Sequence, residues 1–273
     1  MKPDERLIAA EFPRSNSYNP GWIVEGASGG ANSLWLAEWL ASGLDLRPGM
    51  NILDLGCGRA SSSIFLAREF DVTVWAVDLW CSPTENLLRI RNAEVEHRVH
   101  PIHSDARSLP FASDFFDVIV SIDAFPYFGT DDHYLNYLAR FVKPGGVIGI
   151  AGAGFVHEME SEIPLHLSEW FTAEPSLWCL HSSAWWRRHW ERTGIVDILM
   201  SDSMQDGWRF WLEWHKTIAP DNRLEIQSVE TDGGRFLGYH RVIGRRRPYA
   251  ILAEPVVSVP SNYVEKPMLR SNG

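Results

Sequence analysis

The 273-residue sequence has few cysteines, no long apolar run and no excess of positive charge. Its three cysteines, Cys57, Cys81 and Cys179, show neither CxxC spacing nor a ligand-like pattern. This excludes a disulfide framework or a zinc module and favours a reducing compartment. No stretch approaches the roughly 20 apolar residues that a membrane helix needs, and the first residues lead into no apolar signal segment. We therefore expect a cytoplasmic protein that is not inserted in a membrane.

The charge balance and the histidines exclude two further classes of site. A net charge of −10 disfavours binding to a phosphate backbone, so we expect no nucleic-acid partner. The short basic run Arg245-Arg246-Arg247 is better explained as a solvated strand end. The histidines form no convincing motif with a carboxylate, so the sequence predicts no metal site.

What the sequence does have is tryptophan: 13 residues, as many as phenylalanine. Eight of them follow residue 150, and seven lie between Trp178 and Trp214. Trp186 and Trp190 share one face of a predicted helix over 183–192, and three more, starting at Trp208, step by three along a helix over 208–218. These stripes are either helix packing faces or the wall of an aromatic pocket.

Strands and helices alternate between residues 51 and 151. The predicted strands are 51–55, 72–77, 99–103, 117–122 and 147–151, and the predicted helices are 61–70, 83–93 and 131–141. Such alternation, with continuously apolar strands, predicts a mostly parallel sheet covered by helices on both faces. After an irregular stretch over 155–181, we expect strands over 195–200 and 236–243.

A glycine turn follows the first predicted strand, in Asp54-Leu-Gly-Cys-Gly58. Glycine lets the backbone bend sharply and approach a ligand closely at the carboxyl edge of the sheet. Asp78 ends the second predicted strand, where a carboxylate can accept both hydroxyls of a ribose; the alternative role is a helix cap or turn. The third glycine of the dinucleotide fingerprint would fall at Ser61, which argues against a nicotinamide enzyme.

These motifs continue in a recognisable order with Ser104-Asp-Ala106, Phe116-Asp-Val-Ile-Val-Ser121 and Val142-Lys-Pro-Gly-Gly146. Together they resemble the class I S-adenosylmethionine-dependent methyltransferases, in particular the small-molecule, ubiquinone/menaquinone type, over about residues 30–245. The resemblance implies an α/β, Rossmann-like, doubly wound sheet of seven mostly parallel strands with an antiparallel last strand. Ala60 replaces a glycine that the family often has, so we expect a slightly tighter loop.

The resemblance also implies S-adenosylmethionine as the cofactor and a set of residues that contact it. Tyr18 is a candidate lid residue of the N-terminal arm, and Asp123, near the end of the fourth strand, is the candidate catalytic residue. The implied cofactor-binding residues are Tyr18, Asn32, Asp54, Gly56, Gly58, Asp78, Leu79, Trp80, Asp105, Ala106 and Ser121.

The end of the fourth strand lacks both the Asn/Asp-Pro-Pro-aromatic signature of amino-group methylation on adenine or glutamine and the Pro-Cys of cytosine-C5 enzymes. With the acidic net charge, this indicates a small-molecule acceptor, methylated at O, N, S or an activated carbon. The candidate acceptor-pocket residues are Trp22, Tyr127, His157, His166, Trp185 and Trp186. Core packing or solvation is the alternative for each of them.

We expect one methyltransferase domain over 1–247 and a C-terminal tail over 248–273. Within the domain, the sequence predicts an N-terminal arm and helix (1–45), a cofactor-binding core (46–151), an acceptor cap insert (152–195) and the last strands (196–247). Two other functions remain open at this point: an NAD(P)-dependent Rossmann oxidoreductase and a non-catalytic S-adenosylmethionine-binding module.

Overall fold

The computed structural model describes residues 6–159 and 162–252. Its strands are β1 (Asn51–Leu55), β2 (Thr73–Asp78), β3 (Val99–His103), β4 (Phe116–Ile122), β5 (Val142–Phe155), β6 (Val196–Ser203) and β7 (Leu237–Arg246). They form one sheet in the order β3-β2-β1-β4-β5-β7-β6, in which β1 to β5 run parallel and β7 is antiparallel to both neighbours. The predicted fold class is confirmed.

Helices cover both faces of this sheet. They are α1 (Pro20–Glu25), α2 (Ser33–Ala41), α3 (Ser61–Phe70), α4 (Pro83–Asn92), α5 (Pro126–Gly129), α6 (Tyr134–Leu138), α7 (Leu165–Ala173), α8 (Ser183–Glu191), α9 (Gly207–Ile218) and α10 (Arg223–Asp232), with 3-10 helices at Ser15–Ser17 and Pro175–Cys179. Successive strand residues enter different cores: Ile52 packs in one apolar cluster and Leu53 in the other. Burial on both faces explains the continuously apolar central strands.

Several elements differ from the sequence prediction. The Lys-Pro-Gly-Gly segment lies inside β5 as a bulge, because Phe116 pairs with Val142 whereas Val118 pairs with Val147. The helix expected over 131–141 spans only α6. Helices α1, α5, α7 and α10 were not predicted; α1 and α5 each begin at a proline, and α7 lies in the stretch over 155–181 that was read as irregular. The predicted tail is described only as far as residue 252, and its remainder lies outside the described residues.

The sheet changes its winding direction between β1 and β4. From β1 the chain proceeds outward through β2 and β3, and then returns to build β4 and β5 on the other side. In open α/β sheets, a crevice forms at this point beyond the carboxyl ends of the strands. No helix in the described part of the chain is long and apolar enough to cross a membrane.

Candidate functional site

The glycine loop after β1 is held tightly against the end of β2. The amides of Gly56 and Cys57 both donate to the carbonyl of Val77, at 2.8 and 3.0 Å. Gly56 has a φ of +78°, and a Cβ at this position would lie 2.3 Å from the Cβ of Ala124. This position therefore requires glycine, both for its backbone conformation and for the close approach of the segment after β4. Ala60 also has a positive φ, of +59°.

Asp54 supports this loop from beneath. Its buried carboxylate accepts hydrogen bonds from the hydroxyls of Ser62 and Ser63, each at 2.6 Å, which ties β1 to the first turn of α3. Burial raises the pKa of Asp54 to about 6, against the opposing effect of the two hydroxyls. Asp54 thus stabilises the glycine loop from below and does not line the crevice itself.

Because the pKa of Asp54 is raised, the difference in unfolding free energy between the unsubstituted protein and the Asp54→Asn variant should depend on pH. Below the unfolded pKa of about 4, both states are protonated and no penalty exists; above the folded pKa of about 6, the buried charge is fully formed. We expect the unfolding free energy of the unsubstituted protein, relative to Asp54→Asn, to fall by about 2–3 kcal/mol from pH 4 to pH 7. Urea unfolding at these two pH values measures it. A pH-independent difference would contradict the assignment.

Asp78 organises the next turn. One carboxylate oxygen accepts the amide of Gly58 at 2.8 Å, and the other accepts the amides of Trp80 and Cys81, each at 2.8 Å. The Asp78 side chain therefore stabilises a turn, which is the role given above as the alternative to binding a ribose. It also lines the crevice, so the two roles are compatible.

A cleft of about 130 Å³ opens at the carboxyl ends of the parallel strands. Asp105 lies in it with both oxygens bound to the Arg107 guanidinium, which lowers the pKa of the carboxyl. The Trp80 ring is 80% exposed at the cleft and lies 5.8 Å from that of Tyr127. Six residues of the predicted cofactor set line this cleft: Gly56, Asp78, Leu79, Trp80, Asp105 and Ala106.

The other predicted cofactor residues lie around the cleft without lining it. The Ser121 hydroxyl is buried and donates to the carbonyl of Leu55 at 2.7 Å. Asn32 caps α2 by accepting the amides of the following turn, and Tyr18 donates to Glu69 at 3.0 Å. Gly58 closely approaches Ser28 of the N-terminal arm.

Asp123 joins three separate segments just after β4. Its backbone is left-handed, with a φ of +56°. Its two oxygens accept the amides of Ala31, at 2.6 Å, and Ala153, at 2.8 Å. Burial raises the pKa of the Asp123 carboxyl, while the two amides act in the opposite direction. The N-terminal arm is thereby fastened over the end of the central strands.

A second cavity, of about 210 Å³, lies beside the first cleft. Tyr127 borders both, and burial raises its pKa to about 12, so it is a neutral phenol at physiological pH. The walls come from several distant stretches of the chain: the N-terminal arm at Gly30 and Ala31, the segment just after β4, Ala153 of β5, residues 170–180, and helices α9 and α10. Trp170, His215 and Glu225 were not predicted as site residues, whereas Trp211 belonged to a predicted stripe.

Of the predicted acceptor-pocket residues, only Tyr127 lines this cavity. Trp22 lies with Tyr18 in a surface groove, and His157 is exposed. His166 lies 3.0 Å from Asp232, and Trp185 stacks on a neighbouring imidazole, with ring centroids 3.6 Å apart. Trp186 is fully buried in the core, as in the packing-face alternative.

The two tryptophan stripes therefore divide between packing and the site. In α8, Trp186 and Trp190 are core residues. In α9, Trp211 lines the second cavity, and Trp214 donates from its indole nitrogen to the carbonyl of Gly30 at 2.8 Å, which fixes the N-terminal arm. Among the described residues, no cluster of histidine, cysteine and carboxylate side chains is arranged to hold a metal ion.

The central part of the chain is similar to known methyltransferases. Residues 52–146 match the family model described as a methyltransferase domain. The chain is 33% identical over 117 residues to the methyltransferase GfsG of Streptomyces halstedii, covering 42% of each chain. It is 26% identical over 205 residues to the 2-methyl-6-phytyl-1,4-hydroquinone methyltransferase of Synechocystis sp., covering 70% of this chain and 61% of that one. The chain thus spans less than two thirds of the length of these relatives.

Solved structures share the fold. The geranyl diphosphate C-methyltransferase of Streptomyces coelicolor A3(2) superposes with a TM-score of 0.62 at 20% identity, covering 77% of this chain and 79% of that one. The [4+2]-cyclase SpnF superposes with a TM-score of 0.61 at 18% identity, covering 78% and 80%. Residues 52–146 therefore form a methyltransferase domain, and the ordered motifs and the sheet make this chain similar to the class I S-adenosylmethionine-dependent methyltransferases.

Proposed function

We propose that the protein transfers the methyl group of S-adenosylmethionine to a small molecule bound in the second cavity. One observation carries this proposal: the cleft at the strand ends and the second cavity are neighbours that share Tyr127. A methyl group at the border would face an acceptor directly. The carbon is already activated by its sulfonium, so holding donor and acceptor in line supplies much of the catalysis.

Each part of the cofactor has a matching part of the cleft. The Asp78 carboxylate accepts the ribose hydroxyls, and the glycine loop from Gly56 to Gly58 lies against the methionine portion. Asp105 accepts the adenine amino group, while Leu79, Trp80 and Ala106 flank the base. Asp54, Ser121, Asn32 and Tyr18 support this surface through the hydrogen bonds described above.

Asp123 and Tyr127 lie where the two sites meet. The Asp123 oxygens accept two backbone amides, which fixes this side chain in the wall of the second cavity. Tyr127, as a neutral phenol, acts as a wall that positions the reactants and excludes water rather than as a base.

The domain organisation follows from these roles. Residues 46–151 hold the cofactor core, the arm over 1–45 is fastened to it, and the insert over 152–195 contributes to the acceptor side together with α9 and α10. The three free thiols agree with a reducing, cytoplasmic location, and the acidic net charge agrees with a small-molecule acceptor rather than nucleic acid.

Calorimetric titration with S-adenosylmethionine, S-adenosylhomocysteine and NADH tests the cofactor assignment. We expect saturable one-to-one binding of both adenosyl ligands and no binding of NADH. Tight NADH binding without a response to either adenosyl ligand would overturn the proposal in favour of an oxidoreductase.

A further inference from the structure

The second cavity has an unusual combination of charge and aromatic surface. Three aromatic side chains line it: Tyr127, Trp170 and Trp211. Three carboxylates also line it, Asp123, Glu174 and Glu225, but within the described part of the chain its lining contains no lysine or arginine. Carboxylates beside aromatic rings favour an organic cation, because both the charge and the ring faces attract it. The same lining disfavours a carboxylate or phosphate ester.

The polar groups deep in this cavity are held in fixed positions. Glu225 is buried and accepts the indole N–H of Trp211 and the side-chain amide of Asn222, each at 2.9 Å. The buried His215 ring places its Nδ1 3.1 Å from the Oε2 of Glu225. Asp123 interacts electrostatically with both His215 and Glu225, so the three form one electrostatic group. Glu174 is exposed at the mouth of the cavity.

The second ring nitrogen of His215, Nε2, is the candidate proton acceptor in this cavity. His215 lines the cavity, and no residue that the structure describes forms a hydrogen bond with its Nε2. Nδ1 lies beside the Glu225 carboxylate without hydrogen-bond geometry, and this negative charge favours the neutral tautomer protonated at Nδ1, in which Nε2 is the unprotonated, basic nitrogen. Glu225 is thus placed to orient a proton acceptor inside an otherwise anionic, aromatic cavity.

We propose that the acceptor is a small amine, which enters the second cavity as an ammonium ion and is deprotonated there by His215. This inference rests on the proposed methyl transfer and adds to it the substrate class and the base. The carboxylates and aromatic rings bind the cation, and Nε2 of His215 takes one proton from its nitrogen. The freed lone pair forms the bond to the methyl carbon, and the carbon–sulfur bond breaks with its electron pair moving to sulfur. The products are the methylated amine, S-adenosylhomocysteine and an imidazolium that releases its proton to solvent.

Matched probes test the binding of the cation separately from turnover. Choline, its uncharged carbon analogue 3,3-dimethylbutan-1-ol and the anion 3,3-dimethylbutanoate are titrated calorimetrically into the protein saturated with S-adenosylhomocysteine. We expect choline to bind at least about tenfold more tightly than the alcohol, with the anion weakest. Equal affinity for choline and the alcohol, or a preference for the anion, would overturn the proposal. Failure of S-adenosylhomocysteine itself to bind would instead refute the proposed function.

Two glutamates of α10 provide a matched pair of variants. Glu225→Gln keeps the size of the side chain and removes its charge, so we expect choline affinity to fall about tenfold while that of the alcohol changes less than about twofold. Glu230→Gln is the control, because Glu230 pairs with Lys216 at 3.0 Å on the exposed side of the same helix. Equal losses for both ligands in Glu225→Gln, or an equal loss in both variants, would contradict the proposal.

His215→Gln tests the base. General-base catalysis contributes about 10²–10⁴-fold, so we expect kcat for an amine to fall by at least about 100-fold. The dissociation constants of choline and S-adenosylhomocysteine should change less than about twofold, which separates loss of the base from loss of the fold. An unchanged kcat would show that His215 does not take the proton. Turnover of thiols or alcohols but not amines would refute the amine assignment and leave methyl transfer standing.

Discussion

Gly56→Ala is expected to abolish measurable binding of S-adenosylhomocysteine. The new methyl group would lie 2.3 Å from the Cβ of Ala124, well inside contact distance, in a backbone conformation with a φ of +78°. Either the glycine loop or the Asp123–Ala124 segment must move, and both border the proposed cofactor site. Because misplacement by about 1 Å already costs about 100-fold in an oriented reaction, turnover should be lost as well.

Gly49→Ala is the matched control for this prediction. Gly49 has a φ of +81°, and a Cβ there would meet nothing within 4 Å, so the variant suffers only the left-handed strain of about 1–2 kcal/mol. Urea unfolding should show that Gly49→Ala loses stability while its S-adenosylhomocysteine affinity stays within about twofold. If Gly56→Ala bound the ligand as tightly as Gly49→Ala does, the glycine loop would not be part of the cofactor site.

Asp78→Asn should weaken S-adenosylhomocysteine binding by about 30–100-fold. The ribose hydroxyls lose a charged acceptor, and a hydrogen bond to a charged group contributes about 1.5–3 kcal/mol. Asparagine keeps only one accepting oxygen, so it cannot accept both the Gly58 amide and the Trp80 amide, which Asp78 now accepts on separate oxygens. Calorimetry measures the affinity directly.

Asp71→Asn is the isosteric control, at the opposite end of the same strand. Asp71 precedes β2, where it pairs with Arg98 on the surface, and its left-handed backbone suits asparagine as well as aspartate. We expect its affinity for S-adenosylhomocysteine to match that of the unsubstituted protein. Equal affinities for Asp78→Asn and Asp71→Asn would refute the ribose assignment.

The cleft at the carboxyl ends of the strands could be predicted from the sequence because its determinants are local. Strand β1 and helix α3 have the predicted bounds, and the glycine turn between them is encoded within about ten residues. Asp78 and Asp105 each follow from their position at or just after the end of a strand. In a parallel sheet such ends meet at one edge, so sequence position alone brings these side chains together.

The lining of the second cavity could not be predicted in the same way, because its residues come from distant stretches of the chain. Trp170, Trp211 and Glu225 meet only through the packing of α7, α9 and α10, and α10 has few apolar residues from which to predict a helix. The stripes of α8 and α9 illustrate the difficulty. Both place tryptophans on one helical face, yet Trp186 packs in the core whereas Trp211 lines the cavity.

Asp123 shows an intermediate case. Its position after β4 predicts a place near the cofactor or the acceptor, and in the folded chain it lines the second cavity. The left-handed backbone and the hydrogen bonds to Ala31 and Ala153 depend on the arm and on β5, which are 92 and 30 residues away. Its function as a fastening point is therefore visible only in the folded chain.

Isotope transfer is the direct test of whether a methyl group moves from the cleft to an acceptor in the second cavity. The protein is incubated with S-adenosylmethionine labelled in its methyl group and a panel of small amines, thiols, phenols and quinones, and products are analysed by mass spectrometry. We expect the labelled acceptor and S-adenosylhomocysteine to form in equal amounts. Binding of the labelled cofactor without release of S-adenosylhomocysteine in the presence of any acceptor would contradict it and identify a non-catalytic cofactor-binding module.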